Sequence, residues 1–180
     1  HAGVTVIRSF YDPSGVPEDL TRVVRELPRR PGEIAKVVVT PTSTRDLLGI
    51  LRTSRELGAQ PRILVGLGAY GLPTRVVPAF FGSMVTVASI PGAPRGPGDV
   101  SPEELARLYR VPAQTDSTRL FAIIGSPVAH SKSPEYHNRR FAEDGIDACY
   151  LSVLVDDVPS FFSIARGLPL IGFSVTIPHK

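Results

Sequence analysis

Cysteine is almost absent from the chain. Cys149 is the single cysteine among 180 residues. One cysteine can form no intrachain disulfide, and it excludes a zinc cluster built from several thiolates. A reducing compartment is the simpler interpretation, so we expect a cytoplasmic location.

Long apolar runs are also missing. No segment approaches the roughly 18 apolar residues that a membrane-spanning helix requires. Residues 1–30 show no basic segment followed by an apolar one, the pattern of a secretory signal. With 42% hydrophobic and 21% charged residues, the composition is typical of a globular protein of one or two domains, and we expect no membrane partner.

Lysine is scarce as well. Only three of the twenty basic residues are lysines, at positions 36, 132 and 180. The formal net charge is +3, but the arginines lie between acidic residues and the aromatic residues do not alternate with basic runs. No nucleic-acid partner is therefore expected. In a chain dominated by arginine, each lysine requires its own explanation.

The first part of the chain repeats a strand–helix pattern. Apolar strands are predicted at 4–10, 34–40, 62–68 and 84–90. Helices are predicted at 17–27, 43–58, 74–83 and 101–109, the last beginning with a capping box from Ser101 to Glu104. The alternation implies a parallel sheet. Four such units suit half of a (β/α)8 barrel, and they suit a flavodoxin-like or other open α/β sheet equally well.

A polar stretch at 113–118 lacks periodicity, and we predict a linker there between domains at 1–112 and 119–180. The second domain has predicted strands at 120–126, 149–155 and 171–178, with helices at 133–145 and 158–168. Its third strand comes directly before Lys180. We therefore expect this α/β domain to continue beyond the given sequence, because the strand lacks a following crossover helix.

Serines crowd the end of the strand at 120–126. The segment 125–138 reads GSPVAHSKSPEYHN, in which Ser131 and Ser133 stand just before a helix with Pro134 at its start. Free backbone N–H groups and the helix dipole point at the same place as the two hydroxyls. This group suits both oxygens of a carboxylate, whereas phosphate sites are more often glycine-rich. The alternative is that Ser133 only caps the helix and Ser131 only forms the turn.

A second motif, GFSVTIPHK at the end of the chain, gives these serines a context. Together the two motifs resemble those of shikimate dehydrogenases, in the same order and at about the same separation, over residues 118–180. The resemblance implies that Ser131 and Ser133 hold the shikimate carboxylate and that Thr176 binds substrate hydroxyls. It also implies that Lys180 is the catalytic lysine.

The chemistry of Lys180 fits this resemblance independently. Reducing a ring ketone requires a proton donor beside the oxygen, and a partly enclosed lysine can have a lowered pKa. Ser174 stands where the family usually has asparagine, which changes a hydrogen bond. The resemblance implies NADP as the cofactor, with its binding domain outside this chain.

Lys36 lies within the apolar segment EIAKVVVT. A barrel strand would point this lysine into the interior or its mouth, where an unpaired ammonium costs several kcal/mol, so a neutral, nucleophilic amine is expected. The alternative is a lysine on an edge strand. GEIAKVVVTP and the later GLGAYGLPTRVVPAFFGS resemble type I 3-dehydroquinate dehydratases, a resemblance that covers about residues 1–108. It implies the C-terminal half of a (β/α)8 barrel, in which Lys36 forms a Schiff base with the substrate ketone and Arg75 pairs with the substrate carboxylate.

Three residues depart from the dehydratase pattern. Tyr11, in SFYD, stands in place of the catalytic histidine, and Arg95 and Asp99, in RGPGD, align with a serine and a glutamine. A Schiff base forms without the histidine, but its proton transfers would slow by about 10²–10⁴-fold. The ordinary pKa of tyrosine, near 10, is too far from neutral for full substitution. The departures predict an impaired dehydratase.

The two resemblances support each other, because both families act in succession on the shikimate route to chorismate and the aromatic amino acids. The sequence is interpreted as part of a bifunctional dehydratase–dehydrogenase: half a barrel followed by the start of a substrate-binding α/β domain. Its expected ligands are 3-dehydroquinate, 3-dehydroshikimate and shikimate, and little activity is expected from this stretch alone. Two alternatives remain: a dehydrogenase with an inactive barrel as scaffold, and an α/β protein that binds a small anion without chemistry.

Overall fold

The structure is a computed structural model that describes residues 4–180. Six strands of these residues form two parallel sheets of three strands each. The first sheet has the order β1-β2-β3, with strands β1 (Ile7–Asp12), β2 (Ile34–Val39) and β3 (Arg62–Gly66). The second has the order β5-β4-β6, with strands β4 (Arg119–Gly125), β5 (Ala148–Leu154) and β6 (Leu170–Val175).

Helices connect the strands as the sequence pattern predicts. They are α1 (Leu20–Glu26), α2 (Thr44–Glu56), α3 (Gly68–Val76), α4 (Ser133–Glu143) and α5 (Val158–Gly167). Short 3₁₀ turns follow at Pro78–Phe81 and Val111–Ala113. We call residues 4–112 the first half and 119–180 the second half. The predicted domain limits stay a prediction, and residues 1–3 of the first domain lie outside the described residues.

The helix predicted at 74–83 is misplaced, because α3 begins at Gly68 and ends at Val76. It starts directly after β3 because Gly71 lies against the strand: a Cβ at this position would stand 2.7 Å from the Cα of Gly66. Pro78 then ends the α-helical pattern, since proline has no N–H to donate and restricts the residue before it.

The strand predicted at 84–90 is wrong. Pairing of this segment with β3, within the described part of the chain, is limited to one bridge between the preceding Ser83 and Arg62 and a 3.0 Å hydrogen bond from the Met84 N–H to the Arg62 carbonyl. Further along, the Ser89 N–H donates to the Val100 carbonyl at 2.8 Å. The hydroxyl of Ser83 accepts from the Leu64 N–H at 2.8 Å and donates to the Leu64 carbonyl at 3.0 Å. Because this side chain satisfies the backbone groups that a further strand would bind, the ladder ends here.

The capping box at Ser101 is confirmed. The Ser101 N–H donates to Glu104 Oε2 at 2.7 Å, and the Glu104 N–H donates to Ser101 Oγ at 3.1 Å. The helix that follows is wider than predicted, a π-helix at Glu104–Leu108 in which the Tyr109 N–H reaches the Glu104 carbonyl at 2.9 Å. The capping-box pattern therefore predicts correctly where this helix begins, whereas the predicted α-helix is in fact a π-helix.

Both sheets share one hydrophobic core. Buried side chains of β2 and β3 belong to the same cluster as those of β4 and β5. Helix α2 packs against α5, and α3 packs against β5. Phe161 of α5 is fully buried within this cluster, where a side chain of this size contributes about 1.5–3 kcal/mol by leaving water. Helices α2, α3 and α5 thus lie between the two sheets, whereas α4 packs on the other face of the second sheet through Phe141.

Thr44 and Asp156 connect the two halves at the start of α2. The Thr44 N–H donates to Asp156 Oδ1 at 2.8 Å, and its hydroxyl donates to the same oxygen. In return, the Asp156 N–H donates to Thr44 Oγ1 at 3.0 Å. Thr44 is completely buried. A carboxylate of the second half therefore caps a helix of the first, where the helix dipole favours negative charge.

None of the helices in residues 4–180 is both long and apolar enough to cross a membrane.

Candidate functional site

Lys36 lies on the side of the first sheet that faces away from its helices. Its neighbours along β2, Ala35 and Val37, are buried in the shared core, whereas Lys36 points the other way and is partly exposed. In register it pairs with Ser9 of β1 and Ile63 of β3. Lys36 is thus placed in the middle of a sheet face, in agreement with the predicted strand position.

Tyr11 shares that face with Lys36. It pairs in register with Val38, two pairs nearer the C-terminal end of the sheet than Lys36, and is 62% exposed. Adjacent parallel strands present paired residues to the same side, so the tyrosine and the lysine face the same space. We call Ser9, Tyr11, Lys36 and Val38 the lysine face.

Arg75 is buried at the C-terminal end of the first sheet. The residue is 2% exposed, and its Nη2 donates to the carbonyls of Gly98 at 2.5 Å and Gly68 at 3.2 Å. Nη1 lies 3.7 Å from Asp99 Oδ1, and Nε has no hydrogen-bond partner within residues 4–180. Burial lowers the pKa of Arg75, and the negative charge of Asp99 opposes this effect. The arginine predicted to hold a substrate carboxylate therefore already faces a carboxylate of the protein itself, that of Asp99.

Asp99 is held in place by its own turn. The Gly96 N–H donates to Asp99 Oδ2 at 2.7 Å, which leaves Oδ1 facing Arg75. Arg95, also in this turn, donates to the Asp99 carbonyl and to Glu104 Oε2, both at 2.6 Å. The residues aligned with the family's serine and glutamine thus form a charged cluster beside Arg75.

The two predicted serines stand at the start of α4. Ser131 Oγ accepts from the Ser133 N–H at 3.2 Å. The N-cap of α4 is Lys132, which makes no side-chain cap hydrogen bond, and Ser133 is the first helical residue. The alternative is therefore wrong in naming Ser133 as the cap, whereas the contact of Ser131 within the turn agrees with it. Because the Ser131 oxygen acts as an acceptor here, its hydroxyl hydrogen remains available to donate to an anion.

Thr176 and Lys180 come after β6, beside the same end of the second sheet. The Thr176 N–H donates to the Ile124 carbonyl at 2.9 Å, and a Cβ at Gly125 would collide with the Thr176 methyl group. His179 Nε2 lies 2.8 Å from the Val155 carbonyl, which anchors the chain next to Lys180. The structure thus brings the residues after β6 against the ends of β4 and β5, while Lys180 itself is exposed.

A cavity of about 640 Å³ lies between the two halves. Arg95 and Asp99 line it from the first half, and His130, Ser131 and Lys132 line it from the second. The remaining predicted residues do not line this cavity; these are Lys36, Arg75, Ser133, Thr176 and Lys180. The predicted site residues therefore fall into two regions, one in each half. Within residues 4–180, the cavity lined by both Asp99 and Ser131 is where the two regions come together.

Sequence reasoning missed the support of Ser174 by Tyr150. The Tyr150 hydroxyl donates to Ser174 Oγ at 2.9 Å, and its ring stacks on His137 with centroids 4.5 Å apart. Asn138 accepts from the Tyr150 N–H at 2.7 Å and donates to the Tyr150 carbonyl at 2.8 Å. The sequence YHN in the first serine motif contains the signal for this arrangement. Asn138 is a buried amide, and buried side-chain amides mostly find their hydrogen-bond partners in the backbone.

The described residues do not fit NADP. Gly66, Gly68 and Gly71 have the G-x-G-x-x-G spacing of dinucleotide sites after a strand. Here, however, Gly98 covers the start of the helix: a Cβ on it would stand 2.6 Å from the carbonyl carbon of Gly68 and 2.7 Å from the Cα of Ala69. A pyrophosphate has no space at this helix start, and the glycines serve the packing of α3 on β3.

No group of three or more histidine, cysteine, aspartate or glutamate side chains in residues 4–180 is arranged to hold a metal ion.

Two family models match the chain. The model for type I 3-dehydroquinase matches residues 1–116, and the model for the shikimate dehydrogenase substrate binding domain matches residues 123–180. The order of the matches agrees with the order of the two sheets.

Relatives with both parts match nearly the whole chain. The shikimate biosynthesis protein AroDE of Chlamydia pneumoniae is 31% identical over 183 residues, covering 100% of this chain and 38% of that protein. The bifunctional 3-dehydroquinate dehydratase/shikimate dehydrogenase of Arabidopsis thaliana, a chloroplastic protein, is 30% identical and covers 97% of this chain and 29% of its own length. The chain thus spans less than two fifths of these curated relatives.

A solved structure supports the fold of the first half. The 3-dehydroquinate dehydratase of Geobacillus kaustophilus HTA426 is 30% identical with a TM-score of 0.51, and the match covers 60% of this chain and 44% of that one. The first half is therefore part of a (β/α)8 barrel, and the second begins a substrate-binding α/β domain. The chain belongs to the type I 3-dehydroquinase family and continues into the substrate-binding domain of a shikimate dehydrogenase, as the bifunctional shikimate-pathway proteins do.

Proposed function

We propose that the protein carries out two successive steps of the shikimate pathway. Its first half would dehydrate 3-dehydroquinate through a Schiff base on Lys36, and its second half would bind 3-dehydroshikimate for NADP-dependent reduction to shikimate. The observation that carries the proposal is the serine turn: Ser131 Oγ accepts from the Ser133 N–H, so its hydroxyl hydrogen stays free to donate to an anion beside the N-terminus of α4.

In the dehydrogenase half, the residues of this chain bind and orient the acid. Ser131, Ser133 and the free N–H groups of α4 would hold its carboxylate, with charge-assisted hydrogen bonds and a favourable helix dipole. Thr176 would bind a ring hydroxyl. Lys180 would donate a proton to the ketone oxygen as the carbon is reduced. NADP is the reductant proposed, and its site lies outside the described residues.

In the dehydratase half, the amine of Lys36 would add to the ketone carbon and form an imine with loss of water. The imine withdraws electrons and makes an adjacent C–H more acidic. Loss of that proton and of the hydroxyl on the neighbouring carbon, which leaves as water, forms the double bond, and hydrolysis of the imine then returns the lysine. Arg75 would hold the carboxylate. Tyr11, on the same face as Lys36 and two register pairs from it, would take over proton transfer.

Ligand binding tests the dehydrogenase half. Replacing Ser131 and Ser133 together by alanine should weaken shikimate binding by about 1–3 kcal/mol, the scale of hydrogen bonds to a charged group. Calorimetry measures the loss, with Ser163→Ala as a control on a partly exposed serine of α5. An analogue without the carboxylate should not respond to the double change. Equal losses for both ligands would limit the serines to shaping the helix.

Chemical trapping tests the dehydratase half. Protein incubated with 3-dehydroquinate and then borohydride should gain one reduced adduct, and peptide mapping should place it on Lys36. The matched control is Lys36→Met, which removes the amine and retains an apolar stem. An adduct on Lys132, or none, would contradict the Schiff base.

A dehydrogenase with an inactive barrel is the second candidate. The contact of Arg75 with Asp99 and the tyrosine at position 11 favour it, because Asp99 and Tyr11 stand where the dehydratase pattern has glutamine and histidine. Normal shikimate binding without any adduct on Lys36 would select this candidate. The cytoplasmic location expected from the single cysteine stays a prediction.

A further inference from the structure

Asp99 is the carboxylate nearest to the charge of Arg75 among its described contacts. Nη1 of Arg75 and Asp99 Oδ1 are 3.7 Å apart, too long for a good hydrogen bond but close enough for a strong charge interaction. The Arg75 side chain is 3% exposed and that of Asp99 is 31% exposed. Water therefore screens the pair from one side only.

The donors of Arg75 are only partly used. Nη2 donates to two backbone carbonyls, whereas Nε is buried without a partner within the described residues. A guanidinium normally offers two parallel N–H groups to a carboxylate. Arg75 thus has the charge and the free donors of an anion site, with Asp99 in the position of the anion.

We propose that Asp99 acts as an internal counter-anion that competes with carboxylate ligands for Arg75. A ligand carboxylate that approaches the guanidinium must displace Oδ1 of Asp99 or accept its repulsion at close range. Like charges brought together in a partly dry site disfavour binding strongly. Asp99 is then a specificity-determining residue that weakens the binding of carboxylate ligands to Arg75, including the proposed substrate. The inference rests on the proposed role of Arg75 as the carboxylate-binding residue.

Local geometry keeps Asp99 in this role. The Gly96 N–H holds Oδ2, and the Asp99 N–H donates back to the Gly96 carbonyl at 3.1 Å. The side chain is therefore fixed by a tight turn and does not depend on Arg75 for its orientation. Asparagine at position 99 can keep the Gly96 hydrogen bond through its carbonyl oxygen while losing the charge.

Binding of 3-dehydroquinate, measured by calorimetry, tests the inference. Asp99→Asn should tighten binding by at least about tenfold, since the competing charge is removed. Glu104→Gln is the matched control: it removes a carboxylate that lines the same cavity but is bound by Arg95. It should change binding less than threefold. In the Asp99→Asn background, Arg75→Gln should abolish the gain.

A second ligand keeps the test independent of folding defects. The methyl ester of 3-dehydroquinate has no carboxylate, so the wild-type protein and Asp99→Asn should bind it equally. Equal gains for acid and ester, or an unchanged affinity for the acid, would overturn the inference. Absence of binding to Asp99→Asn would overturn it as well, because that variant should expose Arg75.

The outcomes separate this inference from the proposed reaction. Tighter binding of the acid by Asp99→Asn without a borohydride adduct on Lys36 supports the competition and refutes the Schiff base. An adduct on Lys36 with unchanged binding in Asp99→Asn refutes the competition and leaves the Schiff base in place.

Discussion

Removing the hydroxyl of Thr44 should weaken the connection between the two halves. Thr44→Val keeps the shape of the side chain and deletes the group that donates to Asp156 and accepts from its N–H at 3.0 Å. A hydrogen bond to a charged group contributes about 1.5–3 kcal/mol. Asp156 is partly solvated and can regain water, so we expect a loss of about 2 kcal/mol. In a protein of this size, that lowers Tm by roughly 4–8 °C.

The loss should depend on pH. Burial on its own would raise the pKa of Asp156, but the hydrogen bonds from the Thr44 hydroxyl and N–H outweigh it, and the pKa is lowered overall. A carboxyl group with a lower pKa in the folded state stabilises the fold above its unfolded pKa of about 3.9. That contribution is lost as the pH falls through the folded value. The difference between wild type and variant should therefore be full at pH 7 and shrink below about pH 4.

Urea unfolding followed by circular dichroism at several pH values measures this difference. Thr42→Val is the matched control, because its exposed hydroxyl donates to Asp46 Oδ2 at 3.0 Å within the first half. It should cost less than about 0.5 kcal/mol, as exposed positions usually do. The reasoning is refuted if both variants lose equally, or if the Thr44→Val difference persists at pH 2.5.

Three further outcomes are expected. Cys149, whose pKa burial raises to about 12, should not react with a thiol reagent at pH 8 until the protein is unfolded; fast reaction of the native protein would contradict its burial. Hydrogen bonds from Arg8 and the Arg29 N–H lower the pKa of Glu33 to about 2, so the stability that this carboxylate contributes should be lost as the pH falls from about 4.5 to 2. An NMR titration of Glu33 should show its midpoint at about pH 2, and Arg8→Leu should move that midpoint upward. Phe161→Ala should destabilise the protein by about 3–5 kcal/mol and lower the unfolding midpoint of both halves together; separate transitions would argue against a shared core.

Local patterns explain what the sequence predicted well. The strand at β2 and the helix α2 follow from apolar periodicity and from Ser43, whose hydroxyl accepts from the Asp46 N–H at 3.1 Å. The capping box at Ser101 likewise joins residues three positions apart. Each of these features is decided by neighbours in the chain, so its signal is present in a short window.

Contacts between distant residues explain what the sequence did not predict. The apolar residues at 84–90 satisfy the strand pattern, yet a single hydroxyl at Ser83 ends the pairing. Asp99 was recognised only as a departure from the family, because its approach to Arg75 spans 24 positions and depends on how a turn folds back on α3. No local pattern indicates that Thr44 lies against Asp156, since the two sit in different halves.

Four backbone groups on the outer edge of β3 already have hydrogen-bond partners. The Arg62 carbonyl accepts from the Met84 N–H. The Ser83 hydroxyl accepts from the Leu64 N–H and donates to the Leu64 carbonyl. The Gly66 N–H donates to Thr74 Oγ1 at 2.8 Å. Exposed strand edges recruit strands from other molecules, and proteins protect such edges to avoid aggregation. Two hydroxyl side chains do so here without any covering strand. Replacing Ser83 by alanine would reopen the edge at Leu64 and make intermolecular strand addition the main hazard at high protein concentration.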